Sequence, residues 1–234
     1  MSGAYLAGME TFVVRVWVPD RPGALGQVAS RIGAVRGDVV GIDILERGAG
    51  RAIDELVVEL PDSSLVSLLL AEIDQVDGVD VEDVRPAPAE LADPRLDALQ
   101  TAALLVGAES QEALLGSLVA HARRDFGAEW AVVVDLDSRT LLASHGAPPP
   151  PAWLVAFVAG SQSSAAVSSG ECGPDDVAWA ELGTTRLAIL LGRQGRPFRS
   201  RERYQLAALC KIAQYVMANL GADRAISISA KHGS

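Results

Sequence analysis

Between residues 11 and 84 the spacing of apolar side chains switches repeatedly between period two and period ~3.6, in an order that few folds accept. Thr11 to Val18 is β-branched, aromatic and roughly alternating, and it stops at the turn signal Pro19-Asp20-Arg21-Pro22-Gly23. Leu25, Val28, Ile32 and Val35 then recur at steps of three and four, which predicts a helix ended by Gly37. Val39 to Leu45 and Ile53 to Leu60 read as strands joined through the glycine-bearing link Glu46 to Gly50, most simply a hairpin. Pro61-Asp62-Ser63 opens a second helix whose buried side is Leu65, Leu68, Leu69, Ile73 and Val76, and Val79 to Val84 alternates as a fourth strand. The order βαββαβ predicts a split βαβ sandwich, with two helices covering one face of a four-stranded antiparallel sheet.

The run Arg85 to Pro94, with Pro86, Pro88 and Pro94, predicts a linker, since proline continues neither a ladder nor a helix. Beyond it the pattern predicts helices near Leu96 to Val106 and Gln111 to Phe126, then a strand Trp130 to Asp137 returning through Leu141 to Ala143. A short helix Trp153 to Ala159, strands Val177 to Leu182 and Leu187 to Leu191, and a final helix Arg201 to Leu220 follow. The expected organisation is an N-terminal arm 1–9, a first domain 10–86, the linker 87–95, a second domain 96–220 and a flexible tail 221–234.

Charge supports two units. The chain of 234 residues carries 20 Lys plus Arg against 30 Asp plus Glu, a net charge of −10, and residues 1–90 hold 7 basic and 16 acidic side chains, a net −9. Such a balance argues against attraction to nucleic acid or to an anionic membrane. Cys172 and Cys210 have no metal-ligand or redox spacing and are expected to be reduced and buried. No apolar run reaches the ~20 residues of a bilayer span, so a cytoplasmic protein is expected.

The first turn carries the most chemistry. A helix start presents unpaired backbone N–H groups and a partial positive charge, so Gly23, Ala24 and Leu25 are placed to receive a carboxylate. Pro22 suits a first helical turn, Gly23 allows close backbone approach, and Asp20 can accept from an ammonium; together they fit a zwitterion. The same residues also serve as a plain turn, with Asp20 capping the helix.

The run Val18-Pro-Asp20-Arg21-Pro22-Gly23-Ala24-Leu25-Gly-Gln-Val28, set in a βαββαβ unit, resembles the ACT domain, a regulatory module that binds small molecules. The resemblance covers residues 10–86 and implies a ferredoxin-like fold, pairing of two copies, and an amino-acid ligand held at the interface by Asp20, Arg21, Pro22, Gly23, Ala24 and Leu25. ACT domains that bind amino acids often carry an Asn near the start of the second strand, facing the ligand of the partner subunit. Val40, followed by Gly41, stands at that position here and implies a changed ligand or none; Gly41 itself marks a bulge or a close backbone approach. Residues 96–220 are similar to a GAF domain, through the paired early helices and Phe198-x-x-x-Glu202 leading into Leu206, Leu209, Ile212 and Ala213. That resemblance implies an α/β unit with a central antiparallel sheet.

Other constellations are weak. His121, His145 and His232 lack ligand spacing to one another or to a cysteine, no G-x-S-x-G elbow or phosphate-binding glycine pattern occurs, and adjacent acids such as Asp54-Glu55 and Glu82-Asp83 should point to opposite faces. His121, near Arg123 and Arg124, reads as complementing a helix C-terminus. Arg193, Arg196, Arg199, Arg201 and Arg203 form a solvated loop or grip an acidic partner; Trp153, Phe157 and Trp179 pack a core or line a pocket. The resulting expectation is a non-enzymatic regulatory protein without metal or cofactor. It would bind an amino acid or similar ligand as a homodimer and act through a separate output protein. Two alternatives remain open: a ligand-free interaction module, and a detached regulatory subunit of an amino-acid biosynthetic enzyme.

Overall fold

The computed structural model describes residues 9–87, 94–163, 176–183 and 185–232. The chain divides into two compact units, Met1–Leu91 and Ala92–Ser234.

In the first unit, β1 (Glu10–Pro19), α1 (Ala24–Ala34), β2 (Asp38–Gly48), β3 (Arg51–Leu60), α2 (Val66–Ile73) and β4 (Asp80–Pro86) follow the expected order, with one 3-10 turn, Ser63–Leu65, before α2. The sheet is antiparallel in the order β2-β3-β1-β4. Phe12, Val14, Val16 and Val18 of β1 pair with Val58, Leu56, Asp54 and Ala52 of β3, so these residues share the helix-covered face. Ala24, Val28 and Ile32 of α1, with Leu69 and Ile73 of α2, close the core over them. Leu68, expected on the buried side, is 49% exposed: α2 spans only two turns, and Leu69 and Ile73 take its inner stripe. Ala49 and Gly50 turn the β2–β3 hairpin with φ of 50° and 77°, the left-handed pair that matches strand twist.

The second unit contains α3 (Pro94–Val106), α4 (Gln111–Asp125), β5 (Trp130–Asp135), β6 (Thr140–His145), α5 (Pro151–Gln162), β7 (Val177–Glu181), β8 (Leu187–Gly192) and α6 (Ser200–His232). Its sheet is antiparallel in the order β6-β5-β8-β7. Alternation along the central strands sorts two cores. Ala131, Val133, Ile189 and Leu191 face a layer built from α3, α4 and α6, while Val132, Val134, Ala188 and Leu190 face Leu154 and Val158 of α5.

Helix α6 continues to His232, beyond the expected end at Leu220 and through the segment expected to be a flexible tail. Residues 222–231 contain neither proline nor glycine, so the sequence offers no breaker there. Most of the expected linker, residues 88–93, and Cys172 lie outside the described residues. Cys210 is buried, and desolvation pushes its thiol up to about 12, so it remains a thiol at neutral pH. Among the described residues no helix is long and apolar enough to cross a membrane.

Candidate functional site

The first turn is built by backbone alone. The Asp20 N–H donates to the Gly50 carbonyl at 2.9 Å and ties the turn to the β2–β3 hairpin; the Arg21 N–H donates to Pro19 O at 2.8 Å. Gly23 occupies the N-cap of α1 with φ 87° and ψ −13°, and no side chain caps the helix. Asp20 is therefore not a cap; the Ala24 N–H donates to the Arg21 carbonyl at 3.3 Å, and no side chain takes the other N–H groups of the first turn. A Cβ on Gly23 would meet nothing within 4 Å, so the helix start opens onto free space. Asp20, Arg21, Pro22 and Gly23 are exposed, Ala24 is buried and Leu25 half-buried.

The turn borders a polar cleft of about 650 Å³ between α1 and the end of α2, lined by Arg21, Gly23, Gln27, Ser30, Arg31 and Asp77 among others. Arg31 is held in place by Glu72 at 3.1 Å and by Gln75 at 3.0 Å.

Val40 and Gly41 are not part of this assembly within one chain. Gly41 pairs with Val57, whereas the first turn leaves the sheet at Pro19 opposite Arg51, six residues or roughly 20 Å farther along β3. The ladder shifts between Val39 and Gly41, making Val40 a bulge residue with 51% exposure on an edge strand, next to Ile42 at 49%. A Cβ on Gly41 would lie 3.2 Å from Val57 Cγ2, which accounts for the glycine.

Asp54 and Glu55 point to opposite faces, as expected, but the burial of Asp54 was not foreseen. Its place in β3 opposite Val16 puts it on the helix-covered face, where it is 4% exposed and its Oδ1 is buried without a hydrogen-bond partner. Burial pushes its carboxyl up; Arg47 acts against this, and the Asp20 carboxylate adds to it. The signal lay in the core-facing set Ala52, Asp54, Leu56, Val58 and Leu60, in which a single charged residue interrupts an apolar series.

The opposite face of this sheet carries a cluster of opposite charges. Arg15, 1% exposed, donates from Nε and Nη2 to Glu55 Oε2 at 3.1 and 2.8 Å, and Arg85 reaches the same oxygen at 3.1 Å. Burial alone would raise the Glu55 pKa, but Arg85 and Arg15 hold it below the usual carboxylate range. Glu82 and Asp83, expected on opposite faces, both join this cluster. The ladder skips Glu82 between the pairs Arg15–Asp83 and Val16–Val81, leaving Glu82 3.7 Å from Arg15 and Asp83 2.6 Å from Arg85.

In the second unit Arg193, at the head of the arginine run, is built into the fold. Arg193 is 4% exposed, bonds the Arg196 and Pro197 carbonyls and Glu202 at 2.8 Å each, and lies over the Phe198 ring at 3.9 Å. Glu202 also accepts from the Arg199 N–H at 2.9 Å, and Arg196 and Arg203 bond the Gly127 and Val177 carbonyls. Trp153 stacks on Phe157 at 5.2 Å, and Phe157 and Trp179 pack against the α5-side core. The His121 imidazole is pushed below its ordinary value by burial and by Arg124, and its Nδ1 is buried without a hydrogen-bond partner. No group of three or more metal-ligating side chains occurs among the described residues.

Fold and site together define a two-unit α+β protein: a ferredoxin-like βαββαβ sandwich with an uncapped, open helix start, and a unit with helices on both faces of an antiparallel sheet. That is the fold class expected from the sequence. No family model and no curated protein matches the chain. Solved structures similar to it include the ACT domain of a GTP pyrophosphokinase from Chlorobium tepidum, with 16% identity over 34% of this chain and 100% of that one, TM-score 0.28. The ligand-free regulatory subunit of aspartate kinase from Thermus thermophilus shares 16% identity over 41% of this chain and 70% of that one, TM-score 0.30. The GAF domain of an Acinetobacter phosphoenolpyruvate-protein phosphotransferase shares 16% identity over 56% of this chain and 97% of that one, TM-score 0.39.

Proposed function

We propose that this chain is a non-enzymatic regulatory sensor of the cytoplasm whose first unit binds an amino acid or similar small zwitterion, and whose second unit dimerises or relays the signal. The observation that carries this reading is the start of α1: a left-handed glycine N-cap, no capping side chain, and open space beside Gly23. A carboxylate there gains both hydrogen bonds and the helix dipole. The exposed Val40 and Ile42 on the β2 edge favour a homodimer in which that edge is covered, bringing Val40 of one copy towards the first turn of the other. Ligand would then act by favouring one arrangement of the two copies, with a separate protein as output.

A thermal-shift titration with the twenty amino acids tests this reading. A compound at about 100 times its dissociation constant stabilises by roughly 2.7 kcal/mol, a shift of a few degrees for a unit of this size. In the open helical space at Gly26, Gly26→Phe should abolish the shift without straining the turn, which the left-handed Gly23 does not permit. A flat panel would favour the second reading, a ligand-free interaction module, for which the apolar Val40 on an exposed edge is the supporting observation.

A further inference from the structure

We infer that Asp54 is the ammonium receptor of the first-turn site, an inference that rests on the zwitterion reading above. A buried carboxylate oxygen without a hydrogen bond is rare in a folded domain, because its desolvation is not repaid. Asp54 is 4% exposed, its Oδ1 has no partner, and apolar Val16, Leu56 and Ala52 surround it on the helix-covered face. It stands two residues from the end of that face, where β1 passes into the Asp20 turn. The hydrogen bond from the Asp20 N–H to Gly50 fixes the turn beside it.

The charges acting on Asp54 are Arg47, from β2, and Asp20, from the turn. Asp20 adds negative charge and Arg47 forms no hydrogen bond to Asp54, so the protein itself supplies no donor to Oδ1. A primary ammonium has three donors and a positive charge, and satisfies both the orphaned oxygen and the Asp20–Asp54 pair. With the ligand carboxylate on the first-turn N–H groups, the two ends of an α-amino acid meet opposite charges. The ligand is thereby a primary ammonium compound that also carries a carboxylate, and Asp54 is the group that selects for the ammonium.

The experiment is calorimetric binding of the full chain to the twenty L-amino acids. Matched acids that lack the ammonium are run beside them: propionate against alanine, 4-methylpentanoate against leucine, 3-phenylpropionate against phenylalanine. Asp54→Asn should weaken amino-acid binding about 10- to 100-fold, as expected for loss of a charge-assisted hydrogen bond, with the melting temperature unchanged or raised. Arg47→Ala should leave binding unchanged or tighter. Binding to wild type that persists in Asp54→Asn overturns the role of Asp54 while leaving the site; so does a matched loss in Arg47→Ala, or a fall in the melting temperature of Asp54→Asn. Wild type that binds the deaminated acids as well as the amino acids removes the ammonium. Wild type that binds none of the twenty overturns the receptor and the zwitterion reading together.

Discussion

Glu202→Ala separates a structural from a docking role for the run Arg193 to Arg203. The substitution strips the partner from a guanidinium that is 4% exposed and bound to Glu202 through two contacts of 2.8 Å. Leaving a buried charge unpaired costs about 3–5 kcal/mol, and losing the acceptor for the Arg199 N–H at the start of α6 costs ~1 kcal/mol more. The two losses share one carboxylate and are not additive, so about 4 kcal/mol is expected, a large part of the 5–15 kcal/mol typical of a domain. Urea unfolding followed by tryptophan fluorescence measures it, because Trp130, Trp153 and Trp179 belong to the second unit and only Trp17 to the first. The two units require separate transitions in the fit. Arg193→Lys should lose about 2–3 kcal/mol, since a point charge replaces a planar fork that bonds the Arg196 and Pro197 carbonyls as well as Glu202. A loss below about 1 kcal/mol for Glu202→Ala would refute the structural role. If the role holds, reversing the arginine charges unfolds the unit before it can test any partner.

Three further outcomes are expected. Gly192→Ala should destabilise by more than about 2 kcal/mol in the same urea assay, because its Cβ would fall 2.1 Å from the Trp130 ring; an unchanged midpoint would mean that the ring is free to move. Ala49→Asn should stabilise the first unit by about 0.5–1 kcal/mol in thermal unfolding, since Ala49 holds φ 50° in the hairpin and asparagine tolerates that region better; a lower melting temperature would contradict it. Asp54→Asn should stabilise by about 1–3 kcal/mol at pH 7, because burial penalises the charged carboxylate and leaves its Oδ1 without a partner. Its folded pKa lies above its unfolded value of 3.8, so wild-type stability contributed by this group is greatest below that value and is lost as pH rises through the folded pKa. The gap between variant and wild type should therefore close on acidification below pH 3.8, and a gap that widens there would refute the assignment.

The elements of the first unit were legible because each is decided locally: Phe12, Val14, Val16 and Val18 alternate, Val28, Ile32 and Val35 step by four and three, and Pro22 and Gly23 punctuate. What escaped is decided across strands or by burial. The skipped Glu82, which brings two adjacent acids onto one face, depends on how β4 registers against β1. Arg193 reads as surface charge until Phe126, Phe198 and Glu202 enclose it. Asp54 was visible as a break in an apolar series, but its lack of a partner is a property of the assembled sheet. The candidate site shows the same division. Residues 20–25 are contiguous, so sequence alone groups them, whereas Val40 and Gly41 lie roughly 20 Å away along β3 in the same chain. On the proposed reading only a second copy, pairing along β2, brings the two halves together, so ligand binding and dimerisation are linked. A compound that prefers the completed site must tighten the dimer by the same factor by which dimerisation tightens the compound. Sedimentation with and without an amino acid that binds in calorimetry should therefore show a ligand-dependent shift of the monomer–dimer equilibrium. Binding that leaves that equilibrium unmoved would place the whole site within one chain and remove Val40 and Gly41 from it.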